Sequence, residues 1–356
     1  MTQNILITGA AGYIGGSILA DFLSRTSSPI KDSRIYATVR SEEQAQRLSK
    51  IDGVNVIQVD LSDEASVSEA VLRNEIDIVL HIASSMATQL AANLINALGE
   101  RRKASGAQTY FVQSSVTALL SIEGGWPYGE VKDTDAIFEK EKEIGGPNPV
   151  RQTNILVTEL AKAQGVTSFN VALPHVYGTG SGEWSKLSSS IPTYVRTSIA
   201  HKQVYKFDVE GRPPAVHISD LVSLYALLTT KILQKEPMPS GEQGHYFGFN
   251  HRSPYWAVMD RIATSLHARG LVADASVKTW PSYKMAAEAM SLPELYIRAM
   301  CTSTGDLVPV NAYKIGWQPE WTEERYLADI DAEVQAALDL DMIKSSRYDT
   351  LLSAEK

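Results

Sequence analysis

Asn4-Ile5-Leu6-Ile7-Thr8-Gly9-Ala10-Ala11-Gly12-Tyr13-Ile14-Gly15 is the stretch that decides the fold of this 356-residue chain. An apolar run with the composition of a buried strand leads straight into glycines spaced three apart, and Ile18, Leu19, Phe22 and Leu23 then recur at helical steps. A strand that turns tightly into a helix at glycines lets the backbone approach an anion with no Cβ in the way. It also aims the helix's free N–H groups and positive dipole end at that anion. The segment is predicted to cradle the pyrophosphate of a dinucleotide, with Thr8, Gly9, Ala11, Gly12, Tyr13, Ile14 and Gly15 around the phosphates.

A second strand, Arg34-Ile35-Tyr36-Ala37-Thr38-Val39-Arg40-Ser41, should carry the next contact at its carboxyl end. A site for an unphosphorylated ribose usually places Asp or Glu there to accept from the 2′-hydroxyl, whereas a 2′-phosphate needs a guanidinium and small donors. Arg40 and Ser41 therefore point to NADP(H), against the plainer reading of Arg40 as a solvated strand end. Further strands are predicted at Val54 to Asp60, Ile76 to His81, Thr109 to Gln113 and Ser168 to Leu173, and helical patterns at Asn154 to Gln164 and Glu323 to Met342. This alternation is that of an α/β, doubly wound parallel sheet. Ligands bind at the carboxyl ends of such strands, so Gly9, Arg40, Asp60, Ala83 and Ser115 should share one rim.

Composition narrows the partners. The net charge is −8, from 41 acidic against 33 basic residues, with no basic stripe, which argues against nucleic acid. The single cysteine, Cys301, excludes an internal disulfide, and a strand at the start in place of a charged and apolar leader predicts a cytoplasmic protein. No run approaches the length of a membrane span, and no His, Cys and carboxylate spacing suggests a metal. His81 reads as a packed strand end, and neither it nor His217 forms a metal cluster with Cys301 or a neighbour.

With Thr8 to Gly15, Ala37-Thr38-Val39-Arg40, Asp60-Leu61, His81-Ile82-Ala83, Ser114-Ser115, Val176-Tyr177-Gly178, His217-Ile218-Ser219-Asp220-Leu221 and Ile315-Gly316-Trp317-Gln318-Pro319 in view, the chain resembles the extended short-chain dehydrogenase/reductase superfamily over nearly its whole length. The Ala-Thr-Val-Arg segment resembles that of NADPH-dependent ketone reductases related to dihydroflavonol reductase. The resemblance implies a Rossmann domain over 1–180, rejoined by 212–235, and a smaller C-terminal α/β substrate domain over 181–211 and 236–356. It also implies cofactor contacts from Asp60 and Leu61, from Ile82, Ala83, Ser84 and Ser114, and from Pro174 and Val176. Helices after the fourth and fifth strands form a homodimer face in many relatives.

The chain departs from that pattern where chemistry is done. Members of the superfamily carry Tyr-x-x-x-Lys one turn into the helix before the sixth strand, the lysine lowering the tyrosine pKa for proton exchange. Here Gly145-Gly146-Pro147-Asn148-Pro149-Val150-Arg151-Gln152-Thr153-Asn154 holds neither residue. The Pro-Val-Arg-Gln-Thr stretch resembles a divergent, mostly fungal branch of epimerase/dehydratase-like proteins, with amides at Asn148 and Asn154 where that branch implies tyrosine and aspartate. A Tyr-x-x-x-Lys does occur as Tyr128 and Lys132, but after Gly124-Gly125-Trp126-Pro127, which reads as a loop. Tyr128 and Lys132 are retained as candidate catalytic residues beside Ser115, whose strand end stands at the family's hydroxyl position; a surface-loop tyrosine is the alternative for Tyr128, and Tyr177 is a further candidate.

Aromatics thicken in the second unit, with Trp184, Tyr194, Tyr205, Phe207, Tyr246, Phe247, Phe249, Tyr255, Trp256, Trp280, Tyr283 and Tyr296, either as a lid over an apolar ligand or as ordinary core. Two classes of function follow. One is an NADPH-dependent reductase of a small, apolar or aromatic carbonyl or enone compound in specialised metabolism. The other keeps the nucleotide site without redox turnover, as an isomerase or cyclase, or as a nucleotide-sensing regulator resembling the NmrA group.

Overall fold

The computed structural model describes residues 3–340, without the side chains of 295, 296, 299 and 300. The first strand, β1 (Asn4–Thr8), is buried at all five residues. A strand apolar on both faces belongs in the middle of a parallel sheet with helices on either side. That is its place. With β2 (Arg34–Val39), β3 (Val54–Gln58), β4 (Ile78–His81), β5 (Tyr110–Val116), β6 (Thr167–Leu173) and β7 (His245–Phe247) it forms a seven-stranded sheet in the order β7-β6-β5-β4-β1-β2-β3. Every pairing in it is parallel. Strand order reverses between β1 and β4, which opens a crevice at their carboxyl ends.

The helices divide between the faces. In chain order the α-helices as far as residue 268 are α1 (Tyr13–Ser24), α2 (Glu42–Leu48), α3 (Glu64–Arg73), α4 (Thr88–Ser105), α5 (Ile137–Ile144), α6 (Pro149–Gln164), α7 (Ser190–His201), α8 (Ile218–Leu233) and α9 (Tyr255–Ala268). Ile18 of α1 and Leu221, Tyr225 and Leu228 of α8 pack with Ile5, Ile7, Val112 and Val171 on one face of the sheet. Val67 of α3, Leu94 and Leu98 of α4 and Val157 and Ala161 of α6 pack with Leu6, Val79 and Phe111 on the other.

Several boundaries differ from those expected. β5 continues past Gln113 through Ser114 and Ser115 to Val116, because β6 supplies partners as far as Leu173. α6 begins at Pro149, five residues before Asn154, because the Asn148 side chain accepts from the N–H groups of Val150 and Arg151 and proline opens the first turn. β7, assigned from sequence to the second unit, is the edge strand of the central sheet, and Ala312 and Trp317 also pack into that core. The helix expected to reach Met342 spans Glu323–Asp339, and Met342 lies outside the described residues.

A second core gathers Tyr194 of α7, Tyr255, Met259 and Ile262 of α9, Trp280, and Tyr326, Ile330 and Val334 of the Glu323–Asp339 helix. It is tied to the sheet by Asp220, whose carboxylate accepts from the N–H of Glu320 at 3.1 Å and of Trp321 at 2.9 Å, while Trp317 Nε1 donates to the Asp220 carbonyl at 2.9 Å. Asp220 is buried, and burial holds its carboxyl above the usual range. Among the described residues no helix is long and apolar enough to cross a membrane.

Replacing Asp220 with Ala leaves two N–H groups of the 320–321 turn without their acceptor. An unsatisfied buried group costs about 1–3 kcal/mol, so Asp220→Ala should lose stability on that order in urea titrations, and Asp220→Asn, which keeps an acceptor, distinctly less. Equal stability of Asp220→Ala and the parent would show that the turn is held by something else.

Candidate active site

The turn after β1 is built by close contact. Gly9 has φ +70°, and a Cβ there would stand 3.0 Å from the Ala83 backbone. A Cβ on Gly15 would lie 2.3 Å from the Gly9 carbonyl oxygen, so only glycine lets α1 start this close to the strand. Gly12 N donates to the Gly9 carbonyl at 2.8 Å and closes the turn. The first turn of α1, formed by Tyr13, Ile14 and Gly15, has no side-chain cap and no acidic residue to compete with an anion. The Tyr13 ring turns toward the second unit, where its hydroxyl donates to the Gly178 carbonyl at 2.6 Å. Ala11 is buried beneath the turn.

Beside it, the Thr8 hydroxyl lies 2.8 Å from His81 Nδ1 and accepts from the N–H groups of Ile82 and Ala83, which locks the end of β4 against the glycine turn. Ser84 Oγ accepts from Met86 N and Ala87 N at the start of α4. Arg40 is exposed at the end of β2, with its N–H donated to Gln44 Oε1, and Ser41 is the N-cap of α2. The Ser41 hydroxyl thus already accepts from Gln44 N, though its O–H is still available to donate. Asp60 accepts from Ser62 N and Oγ, bonds that hold its carboxyl below the usual range, and the Arg40 charge acts in the same direction. Leu61 gives its carbonyl to Asn93 Nδ2 at 2.9 Å. Pro174 and Val176 lie just past the end of β6, Val176 within the short strand His175–Tyr177. A glycine cradle, a helix start without a competing carboxylate and a free guanidinium on one rim are the donor set that a dinucleotide requires, so the residues present fit that cofactor.

The expected catalytic residues are not brought together. Alternation along β5 sends Ser114 toward α8, where its Oγ is 2.6 Å from the Tyr225 hydroxyl in the core, so Ser114 faces away from the rim at which it was expected. Ser115 points to the opposite face; it is only 1% exposed and its Oγ has no protein partner. Tyr128 lies in a loop and Lys132 in the two-residue strand Val131–Lys132, which pairs with Leu307–Val308. Lys132 Nζ is 3.9 Å from Glu130, whereas the Tyr128 hydroxyl is bonded to Glu143, which holds the phenol above its usual pKa. A lysine-activated phenol would be lowered. The Tyr128 and Lys132 pair therefore does not form here, because a loop and strand do not stack residues four apart as a helix does.

At the start of α6, Asn148 is spent as the cap. Arg151, buried, donates to the carbonyls of Gly145, Gly124 and Gly125 at 3.2–3.4 Å and so binds the Tyr128 loop to this helix. Asn154 Nδ2 donates to Glu141 Oε1 at 2.8 Å. Glu141 is 1% exposed, and burial pushes its carboxyl up to about 7, against the lowering effects of Asn154 and Arg151.

Sequence reasoning missed a polar row across the sheet. Thr8, His81, Gln113, Asn170 and His245 are successive register partners on β1, β4, β5, β6 and β7, and all are buried. The available signal was a polar residue inside each apolar strand, Gln113 in Phe111 to Ser115 and Asn170 in Phe169 to Ala172. Among the described residues no group of His, Cys and carboxylates is arranged to hold a metal.

Burial holds His81 down to about 4, against 6.5 for a free histidine. Between those values the unfolded chain binds a proton that the native chain refuses, so this group weakens the fold as pH falls from 6.5 to 4, by up to about 3 kcal/mol. Glu141 and Glu333, both pushed up to about 7, act oppositely as pH falls through that value. Comparing His81→Gln with the parent isolates the histidine: urea melts between pH 6.5 and pH 4 should show the variant losing less stability, and parallel curves would exclude a buried neutral His81.

Comparison with known proteins places this geometry. The chain is 24% identical over 313 residues to the oxidase ucsJ of Acremonium sp, covering 82% of this chain and 86% of that protein. The UDP-glucose 4-epimerase of Thermotoga maritima, solved with UDP-glucose, superposes with a TM-score of 0.64 at 14% identity, over 94% of this chain and all of that one. Vestitone reductase from alfalfa, Medicago sativa, superposes with a TM-score of 0.59 at 17% identity, over 93% and 98% of the two chains. The family model described as the NAD dependent epimerase/dehydratase family matches residues 5–239, and the chain belongs to that family as an NAD(P)-dependent enzyme on a Rossmann-like sheet.

Proposed function

We propose that the chain is a cytoplasmic NADP(H)-dependent reductase of a small, apolar or aromatic carbonyl or enone compound. The observation that carries the reading is Arg40, an exposed guanidinium at the end of β2 where a cofactor without the 2′-phosphate would call for a carboxylate. An apolar ligand is favoured by the cluster of Leu119, Trp126, Val150, Ala172 and Phe249, against which Met86, Val116 and Tyr128 pack near the strand ends.

Gly9, Gly12 and the start of α1 would hold the pyrophosphate, Arg40 the 2′-phosphate, and Asp60 and Ala83 the adenosine and nicotinamide ends. A bound reduced nicotinamide supplies a hydride to a carbonyl carbon. The chain's own part is to seat that carbonyl over the end of β5, exclude water with Met86 and Val116, and deliver a proton to its oxygen. A second reading, a non-redox isomerase or cyclase or a nucleotide-sensing regulator, is favoured by Asn148, which serves as a helix cap where relatives carry the proton-exchanging tyrosine. NADPH consumption with a panel of carbonyl compounds separates the two. A homodimer is proposed through α6, whose outer face presents the part-buried Ile155, Leu156 and Leu160.

Arg40→Asp should weaken NADPH binding about 10- to 100-fold by calorimetry, because a charge-assisted phosphate contact is replaced by repulsion, and should change NADH far less. Equal losses for both nucleotides sink the 2′-phosphate assignment. Ser115→Ala should lower kcat more than Tyr128→Phe, because the sheet fixes Ser115 whereas Tyr128 is bonded to Glu143. The reverse ranking would return the proton to Tyr128.

A further inference from the structure

The layer between the sheet and α6 is apolar at both ends and polar in the middle. Toward the amino ends of the strands, Val157 and Ala161 of α6 pack on Phe111. Toward the carboxyl ends, Val150 packs with Ala172. Asn154 lies between Val150 and Val157 on the same buried face of the helix, so it stands over the sheet at the level of Gln113 and Asn170, which are register partners. Phe111, Gln113 and Ser115 share one face of β5 by alternation, and Ser115 is paired with Ala172.

On both walls of this layer, buried polar atoms lack protein partners: Ser115 Oγ, Gln113 Oε1 and Asn170 Nδ2 on the sheet, Asn154 Oδ1 and Glu141 Oε2 on the helices. All five residues are at least nine-tenths buried. Buried polar groups are almost always satisfied, and where protein does not satisfy them ordered water does, each molecule making about three hydrogen bonds.

We propose that Glu141 is the proton store of this site, joined to the carboxyl end of β5 by a hydrated seam that runs between the sheet and α6 past Asn154, Asn170 and Gln113 to Ser115. The catalytic use of the store rests on the reductase reading; the store and seam do not. Glu141 Oε1 accepts from Asn154, so a carboxylate would leave a charge on Oε2 with no donor, whereas the acid has its own proton to give. The charged groups around it are few. From α6, Arg151 faces Glu141 and is held by three carbonyls, while Glu159 pairs with Lys142 of α5; from the turn Gly241–Gln243, Glu242 pairs with Lys162. Arg151 stabilises the carboxylate left when the proton departs.

The balance is simple. A hydride supplied to a bound carbonyl carbon would leave an alkoxide oxygen in need of a proton. The Ser115 hydroxyl gives that oxygen its proton, seam water returns one to Ser115 Oγ, and the Glu141 Oε2–H bond breaks to restore the water. Glu141 becomes a carboxylate beside Arg151 and regains a proton from solvent after the alcohol leaves. Glu141 acts through Ser115 and touches no substrate; it is a positioning and proton-holding residue.

Infrared spectroscopy of the full chain reads the store without any substrate. The parent should show protonated-carboxyl absorption that disappears as pH rises through about 7; the component lost in Glu141→Gln, read as the difference from that variant and so free of the Glu333 acid, should shift within the mixing time in D2O. Asn170→Leu, which blocks the seam with a side chain of similar size, should slow that shift by at least about tenfold. With a turned-over carbonyl compound, Glu141→Gln should lower kcat about tenfold or more, leave NADPH affinity unchanged and remove the fall in rate on the alkaline side. If no carbonyl compound turns over while the band titrates and exchanges rapidly, the reductase reading fails and the store stands. A missing band, a band that exchanges only on global unfolding, or a Glu141→Gln enzyme with the parent pH profile overturns the store.

Discussion

The contact between Gly15 and the Gly9 carbonyl is the constraint on which the rest of the site depends. α1 can start there only because neither residue carries a Cβ, and that placement sets the height of the helix over the sheet. The same turn presses Gly9 on Ala83, so the ends of β1 and β4 are fixed to each other, and Thr8 completes the lock by accepting from Ile82 and Ala83. The glycine turn and the switch point of the sheet are therefore one piece of covalent and packing geometry.

Around that piece the polar residues of α5 and α6 are tied into the fold. The start of α6 is a well-formed helix terminus with an asparagine cap and a proline first turn. The buried charge that remains on α6 is Arg151, held by three backbone carbonyls, and the buried acid facing it comes from α5. In that layer amides and one carboxylic acid are buried together. Burial, more than any partner charge, sets the state of Glu141.

The second unit is attached through a few buried polar contacts. Asp220 holds the 320–321 turn, Glu333 accepts from Gly178 N at 3.2 Å with its carboxyl pushed up to about 7 by burial, and Tyr13 donates to Gly178 from the other side. Gly178 is thereby gripped by α1 and by the helix Glu323–Asp339 at once. The glycine turn and the second unit are linked through one peptide.

The glycine turn, the order of strand and helix, and the basic residue at the end of β2 were legible in the sequence, because each depends on residues that are neighbours in the chain and on local rules of geometry. The parallel sheet followed from alternation for the same reason. What the tertiary structure decided is everything set by residues distant in the chain. The pleat of β5 in register with β6 turned Ser114 into the core with Tyr225 and Ser115 toward α6. Glu130 and Glu143, not each other, became the partners of Lys132 and Tyr128. β7 joined the sheet through pairing with a strand some seventy residues earlier, from Asn170 to His245. Glu141, an unremarked acid in Glu139-Lys140-Glu141-Lys142-Glu143, acquired its chemistry only when α5 packed on α6 and removed it from water, since a run of charged residues does not announce which member faces inward.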